Sequence, residues 1–165
     1  MKNKLAGISL ALTLTLLLTA CPSQQTYYQI WTTAGTLADS YINIYDPGWA
    51  QKAQFDQAWA TAGADIQNWQ KGTVCQDVVQ AISDAVNLLA ELPTTTPQQK
   101  ALMATILASV DVVTIFFSSC QGGTLASPQA IHDRFSPDVQ AAADKLPPPK
   151  SADDVRKLWK QAGGK

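Results

Sequence analysis

From Tyr27 onward, apolar side chains return every third or fourth residue and almost nowhere every second one. That is the period of a helix with one face turned inward, not of a strand. The first stripe, Tyr27, Ile30, Trp31, Ala34, Leu37, Ala38, Tyr41 and Tyr45, predicts a helix over 27–45. Asp46-Pro47 stops it, since a residue before proline is pushed out of the helical region. The same pair is expected to open a second helix as N-cap and first helical residue. There Phe55, Trp59, Ala62, Ile66 and Trp69 share a face, and Lys71-Gly72 supplies a left-handed stop.

Thr73 and Gln76 have the spacing of a capping box for a third helix, striped by Cys75, Val78, Val79, Ile82, Ala85, Val86 and Leu89. "LPTTTP" is a turn, after which Thr96, Pro97 and Gln99 supply a second cap, first position and box. The fourth helix, "QQKALMATILASVDVVTIFF", is apolar over most of its circumference. It belongs either at the centre of a protein or in a membrane. Asp111 interrupts it and its neighbour is amphipathic, so the central position is expected. Ser127-Pro128 and Ser136-Pro137 each read as the start of a short helix. "KLPPPK" is a stiff spacer, and Ser151 opens a last helix carrying Val155, Leu158, Trp159 and Ala162.

Four long helices on short connections predict an all-α chain, an antiparallel up-down four-helix bundle with a helical C-terminal extension. No internal repeat stands out. Residues 27–120 form the expected bundle and 121–165 the extension. The 165 residues suffice for one domain with a real core. Charged residues make up 15% of the chain and the formal net charge is −1, which gives no electrostatic case for nucleic acid.

The first residues, "MKNKLAGISLALTLTLLLTAC", begin with Lys2 and Lys4, continue with an apolar run from Leu5 to Leu18 and end in small residues. This is the three-part layout of a secretory signal, and the run is short for a bilayer span. Leu18-Thr19-Ala20-Cys21 resembles the lipobox of bacterial lipoproteins. The resemblance implies that 1–20 is a cleaved signal peptide and that Cys21 carries a diacylglycerol thioether and an acylated amino group. Several acyl chains hold a protein durably where one does not. Residues 21–26 are then a lipidated tether so short that the domain sits close to the bilayer. Pro22 follows the cysteine where an acidic residue often marks inner-membrane retention, so the outer membrane is favoured in a two-membrane bacterium.

Export puts Cys75 and Cys120 in an oxidising compartment, where two spare thiols usually pair. They fall at the start of one predicted helix and just past the end of the next, and two antiparallel neighbours bring those ends together. Free buried thiols and metal ligation are the competing readings. Metal is poorly supported, because there is no CxxC and His132 is the only histidine.

No catalytic residues are assigned. His132 with Asp133 has the composition of a base and its orienting carboxylate, but helix neighbours in sequence do not face one another and no partnered nucleophile is evident. A surface histidine is the simpler reading. Asp77 and Asp84 share a helix face and are expected to belong to a polar outer surface. Asp111 lies on a stripe of small or polar residues with Lys100, Ala104, Ala108 and Ser118, expected to reach solvent. GxSxG, HExxH, P-loop and dinucleotide-turn patterns are absent from the sequence, and no cofactor is implied. All four tyrosines and four of the five tryptophans fall between Tyr27 and Trp69. This is either an aromatic core, a platform for sugar rings or an interfacial belt. Tyr28 and Trp49, off the main stripes, are candidate contact residues. Trp159 is a third, on a helix too short to stand alone.

Together these features predict a non-enzymatic, membrane-tethered envelope domain that faces the periplasm and contacts another envelope protein. The alternatives are a carrier of an apolar ligand around Met103, Phe116 and Phe117, and a cell-wall-active enzyme.

Overall fold

The computed structural model describes residues 23–69, 75–118 and 127–165, and every regular element among them is an α-helix. In chain order these are α1 (Gln24–Tyr45), α2 (Lys52–Gln67), α3 (Cys75–Leu89), α4 (Pro97–Ser118), α5 (Pro128–His132), α6 (Pro137–Ala143) and α7 (Ala152–Gln161).

The start signals act mostly as expected. Thr96 and Gln99 form a reciprocal box at α4: the Gln99 amide donates to Thr96 Oγ1 at 3.2 Å, and the Thr96 amide to Gln99 Oε1 at 2.9 Å. Ser127 and Ser151 cap α5 and α7 through the Ala130 and Asp154 amides. Two boundaries differ. Ser23 caps α1 and the helix begins at Gln24, so residues 24–26, expected in the tether, belong to its first turn. Asp46-Pro47 does not open α2, whose N-cap is Gln51. With Gly48 after the proline, the chain turns again: the Trp49 amide donates to Asp46 O and the Lys52 amide to Trp49 O. Thr73, the cap of the predicted box with Gln76, lies outside the described residues, as does the Lys71-Gly72 stop.

α1 and α2 are antiparallel. Gln24, at the start of α1, donates to the carbonyls of Ile66 and Gln67 at the end of α2, while Lys52, at the start of α2, pairs with Asp39 far along α1 at 2.7 Å. At the crossing the Trp31 and Trp59 rings stack with centroids 3.9 Å apart and 12° between planes. Each indole donates to the other's backbone carbonyl, Trp31 Nε1 to Trp59 O at 3.0 Å and Trp59 Nε1 to Trp31 O at 3.2 Å. The reciprocity has a sequence origin. "WTTAG" (31–35) in α1 recurs as "WATAG" (59–63) in α2, and in each the glycine four residues on faces the opposite indole, though only Gly35 is needed to make room for it. A Cβ at Gly35 would lie 2.3 Å from Trp59 Nε1, and one at Gly63 would lie 3.4 Å from Trp31 Cδ1. This local two-fold repeat is the internal repeat that the sequence reading did not find.

α4 is the central element. It packs against α1, α3, α5, α6 and α7, and α1–α2 and α2–α3 contacts complete a ring through the four long helices. Leu102, Met103, Ile106, Leu107, Val110, Val113 and Phe117 are all buried. Its buried hydroxyls are satisfied within the helix: Thr105, Ser109 and Thr114 donate to Ala101 O, Thr105 O and Val110 O. Length and composition alone would let α4 cross a membrane, but 67% of its most apolar stretch is buried inside the protein.

The C-terminal segment is not a separate appendage. α5 and α6 lie on α4, and α7 buries Val155, Leu158 and Trp159 against α1 and α4.

Candidate functional site

The segment following residue 126 covers the stripe of α4 expected to face solvent, and this creates the most buried charged cluster described. Asp111 and His132 meet there, with Asp111 Oδ2 2.8 Å from His132 Nδ1. Their side chains are only 20% and 12% exposed. Asp144, just past α6, places Oδ1 3.7 Å from His132 Nε2, an ion-pair distance rather than a hydrogen bond. Two expectations are therefore corrected. Asp111 does not run out to solvent, because α5 and α6 lie over it. His132 is not a surface residue, and its partner is Asp111 rather than Asp133, which accepts from Gln129 instead.

Burial pushes the Asp111 carboxyl above its ordinary range; the His132 hydrogen bond and charge oppose this, and Asp144 adds to it. Asp111 Oδ1 is buried with no hydrogen-bond partner. Such a pair can hold and orient a proton. The pair ties α5 to α4, with Asp144 at the end of α6 beside it.

A second group of acids faces a groove of about 380 Å³ between α2 and α3, where Asp65, Asp77 and Asp84 line the walls with Gln57 and Gln80. The expectation placed Asp77 and Asp84 on one face, and the structure adds Asp65 across the groove. Burial, then the charge of Asp77, raises the Asp65 carboxyl above its usual value. Asp84 accepts from Gln80 at 2.8 Å. Among the described residues no three ligand-type side chains are arranged to hold a metal ion.

The aromatic residues divide between core and ends. Trp31, Trp59, Tyr41 and Phe55 are buried, and burial drives the Tyr41 hydroxyl pKa upward while it donates to Pro93 O. At one end of the molecule, Tyr27 in the first turn of α1 stacks on Phe116 in the last turn of α4 at 3.9 Å. Trp69, just past α2, meets Phe116 and Phe117 edge-on. Ile115, on the same last turn, is 57% exposed. At the opposite end Ile44 is equally exposed, and Trp49 is half-buried with its ring tilted on Phe55.

Of the candidate contact residues, Tyr28 is half-buried beside Gly63 and Trp49 keeps partial exposure. Trp159 is removed from the contact surface: it is 2% exposed, because α7 uses it to dock on the rest of the chain. Cys21 and Cys120 lie outside the described residues, as does the side chain of Cys75, whose backbone opens α3. The Trp69–Phe117 contact sets the residue two past the end of α2 against the last turn of α4.

Sequence reasoning missed the Asp111–His132 pair and the shared groove. The one sequence signal for the pair was a lone acid in an apolar helix, which requires a polar partner somewhere. No protein family, no curated protein and no solved structure matches this chain.

Proposed function

We propose that this chain is a bacterial envelope lipoprotein whose helical domain, an antiparallel up-down bundle of α1 to α4 with α5 to α7 laid against it, is held on the membrane through Cys21 and binds another envelope protein. The supporting observation is where the fold begins. Ser23 caps α1 two residues after Cys21, a reach of about 7 Å even fully extended. Acyl chains on Cys21 would bring the Tyr27–Trp69–Phe116 end to the headgroup layer, where aromatic side chains with a polar edge are favoured. The opposite end, with Ile44 and Trp49, then faces the periplasm as the surface for a protein partner. In that compartment Cys75 and Cys120 pair. The function is non-enzymatic and needs no cofactor.

Two experiments test this. Cells grown with an alkyne-tagged fatty acid should label the wild-type chain and not Cys21→Ser. A photo-crosslinker at Trp49 should capture one specific envelope protein, while the same probe at solvent-facing Gln57 should not. Absence of label, or identical capture from both positions, would defeat the proposal.

The carrier reading needs room around Met103, Phe116 and Phe117; Met103 and Phe117 are fully buried in the core and Phe116 packs against it partly buried. The enzyme reading retains one observation, the convergence of Asp65, Asp77 and Asp84 on a groove where one carboxyl is raised beside another. Loss of a wall-hydrolysing activity in both Asp65→Asn and Asp77→Asn would establish it.

A further inference from the structure

The end of the molecule nearest Cys21 differs from the rest of its surface. Among the described residues Ile44 and Ile115 are the exposed large apolar side chains, each at 57%, and Ile115 stands in the last turn of α4. It lies one turn beyond Asp111 on the same stripe of the helix, yet it is open where Asp111 is covered by α5 and α6. Beside it Val112 and Phe116 are only partly buried, as are Tyr27 in α1 and Trp69 past α2. Tyr27 stacks on Phe116 and Trp69 meets that ring edge-on at 5.6 Å, so these side chains form one apolar and aromatic rim.

The stretches that carry the rim are also free of charge. α1 has no Asp, Glu, Lys, Arg or His from Gln24 to Ala38, α4 has none from Val112 to Ser118, and the end of α2 has none from Ile66 to Trp69. The acids that border these stretches are engaged elsewhere: Asp39 pairs with Lys52, Asp65 lines the α2–α3 groove, and Asp111 is held by His132. The other exposed isoleucine has different surroundings. Ile44 is followed by Asp46, and at that end Glu91 accepts from Gln51 at 2.7 Å.

The height of the rim along the helices matches the depth of a membrane interface. Tyr27 is three residues inside the start of α1 and Ile115 three residues inside the end of α4, about 5 Å at 1.5 Å per residue. An apolar face bound at a membrane surface sinks about 5–10 Å into the boundary between headgroups and acyl chains. From Cys21 to Ser23, the cap of α1, the chain reaches about 7 Å at most. With Cys21 acylated, that leaves no space for a layer of protein between the rim and the lipid.

We infer that this rim is a second membrane contact: Ile115, with Tyr27, Trp69 and Phe116 around it, enters the headgroup–acyl boundary of a phospholipid bilayer and adds to the hold of the acyl chains. The contact rests on the anchoring through Cys21 and extends it. A lipidated tether alone leaves the domain free to roll on the surface, whereas an inserted rim fixes its orientation. α1 and α4 then rise steeply from the bilayer, and Ile44, twenty residues beyond Gln24, stands about 30 Å out. Because no charge takes part, the contact needs neither anionic lipid nor low salt.

The test uses the chain purified from host membranes, with the lipid on Cys21 read by intact mass, in phosphatidylcholine vesicles. A photoreactive diazirine amino acid replaces Ile115 in one preparation and Ile44, equally exposed at the far end, in another; both positions are on the surface, so the core is undisturbed. On illumination, phospholipid adducts from position 115 are expected to exceed those from position 44 roughly tenfold, with the same yield at low salt and at about 1 M salt. In a second measurement, Ile115→Asp should lower the quenching of tryptophan emission by brominated phosphatidylcholine, since Trp69 is the tryptophan in the rim. Equal yields at the two positions, no lipid adduct at 115, adducts to protein instead, a yield that collapses in salt, or quenching unchanged in Ile115→Asp would overturn the contact. Any of these from an acylated chain leaves the anchor standing, whereas a chain without lipid on Cys21 ends both.

Discussion

Alanine at Gly35 and alanine at Gly63 are the same change in the two copies of one short motif, and the structure assigns them opposite effects. At Gly35 the new methyl would lie 2.3 Å from Trp59 Nε1, 2.7 Å from Cδ1 and 3.0 Å from Cε2. The indole cannot swing away cheaply, because it is stacked on Trp31, tilted against Phe55 and bonded to Trp31 O. Overpacking of this kind costs about 1–3 kcal/mol. A displaced indole that leaves its N–H buried and unpaired costs about 1–3 kcal/mol more. The better helix propensity of alanine returns about 1 kcal/mol. Gly35→Ala should therefore destabilise by about 1–5 kcal/mol, with the middle of that range at ~3 kcal/mol.

At Gly63 the nearest atom would be 3.4 Å away, ordinary contact, so the propensity gain stands almost alone and Gly63→Ala should be neutral or up to about 1 kcal/mol more stable. Thermal unfolding followed by far-UV circular dichroism reads both. In a chain of this size 1 kcal/mol moves Tm by roughly 2–4 °C, so Gly35→Ala, at the middle of its range, should melt about 5–15 °C below wild type while Gly63→Ala melts at or slightly above it. Equal shifts in the two variants, or a Gly35→Ala protein as stable as wild type, would refute the fixed-indole crossing.

The cap at α4 predicts a loss of about 1 kcal/mol in Thr96→Ala, measured by urea unfolding, since the Gln99 amide loses its acceptor. Asp111 predicts a pH dependence. Its carboxyl is held above the ordinary 3.8 by burial, so the folded chain keeps that proton to higher pH than the unfolded chain. This contribution is full below about pH 4 and is lost as pH climbs through the folded value. Asp111→Asn should therefore gain on wild type as pH rises from about 3 to neutrality, in unfolding free energies measured at each pH; a constant difference would contradict this. The proposed Cys75–Cys120 bridge closes a loop long enough to stabilise by about 4 kcal/mol on the entropic account. Reductant should lower Tm in the wild type and leave Cys75→Ser/Cys120→Ser unmoved.

What the sequence made legible was local. The helix class, the Thr96–Gln99 box and the Ser127 and Ser151 starts depend on contacts three or four residues apart, which a pattern contains. The burial of Ile30, Trp31, Val78, Ile82 and Val155 likewise follows from the stripes. What stayed hidden was tertiary. The Trp–Gly motif has little meaning in either helix alone and acquires it only when the two antiparallel copies cross. Asp111 and His132 pair across 21 residues, and nothing in α4 says which of its faces α5 and α6 will cover. Trp159 looked available because an isolated amphipathic helix shows a free apolar face, whereas here that face is spent on α1 and α4. α2 starts later than Asp46-Pro47 predicts, because that pair satisfies a cap rule that cannot see the second turn made by Gly48 and Trp49.

Attachment of the chain to the membrane through Cys21 is tested directly by intact mass spectrometry of the chain purified from host membranes. The predicted mass lacks residues 1–20 and carries the lipid of a diacylglycerol thioether with an acylated amino terminus. A mass that retains the leader, or an unmodified Cys21, would contradict it.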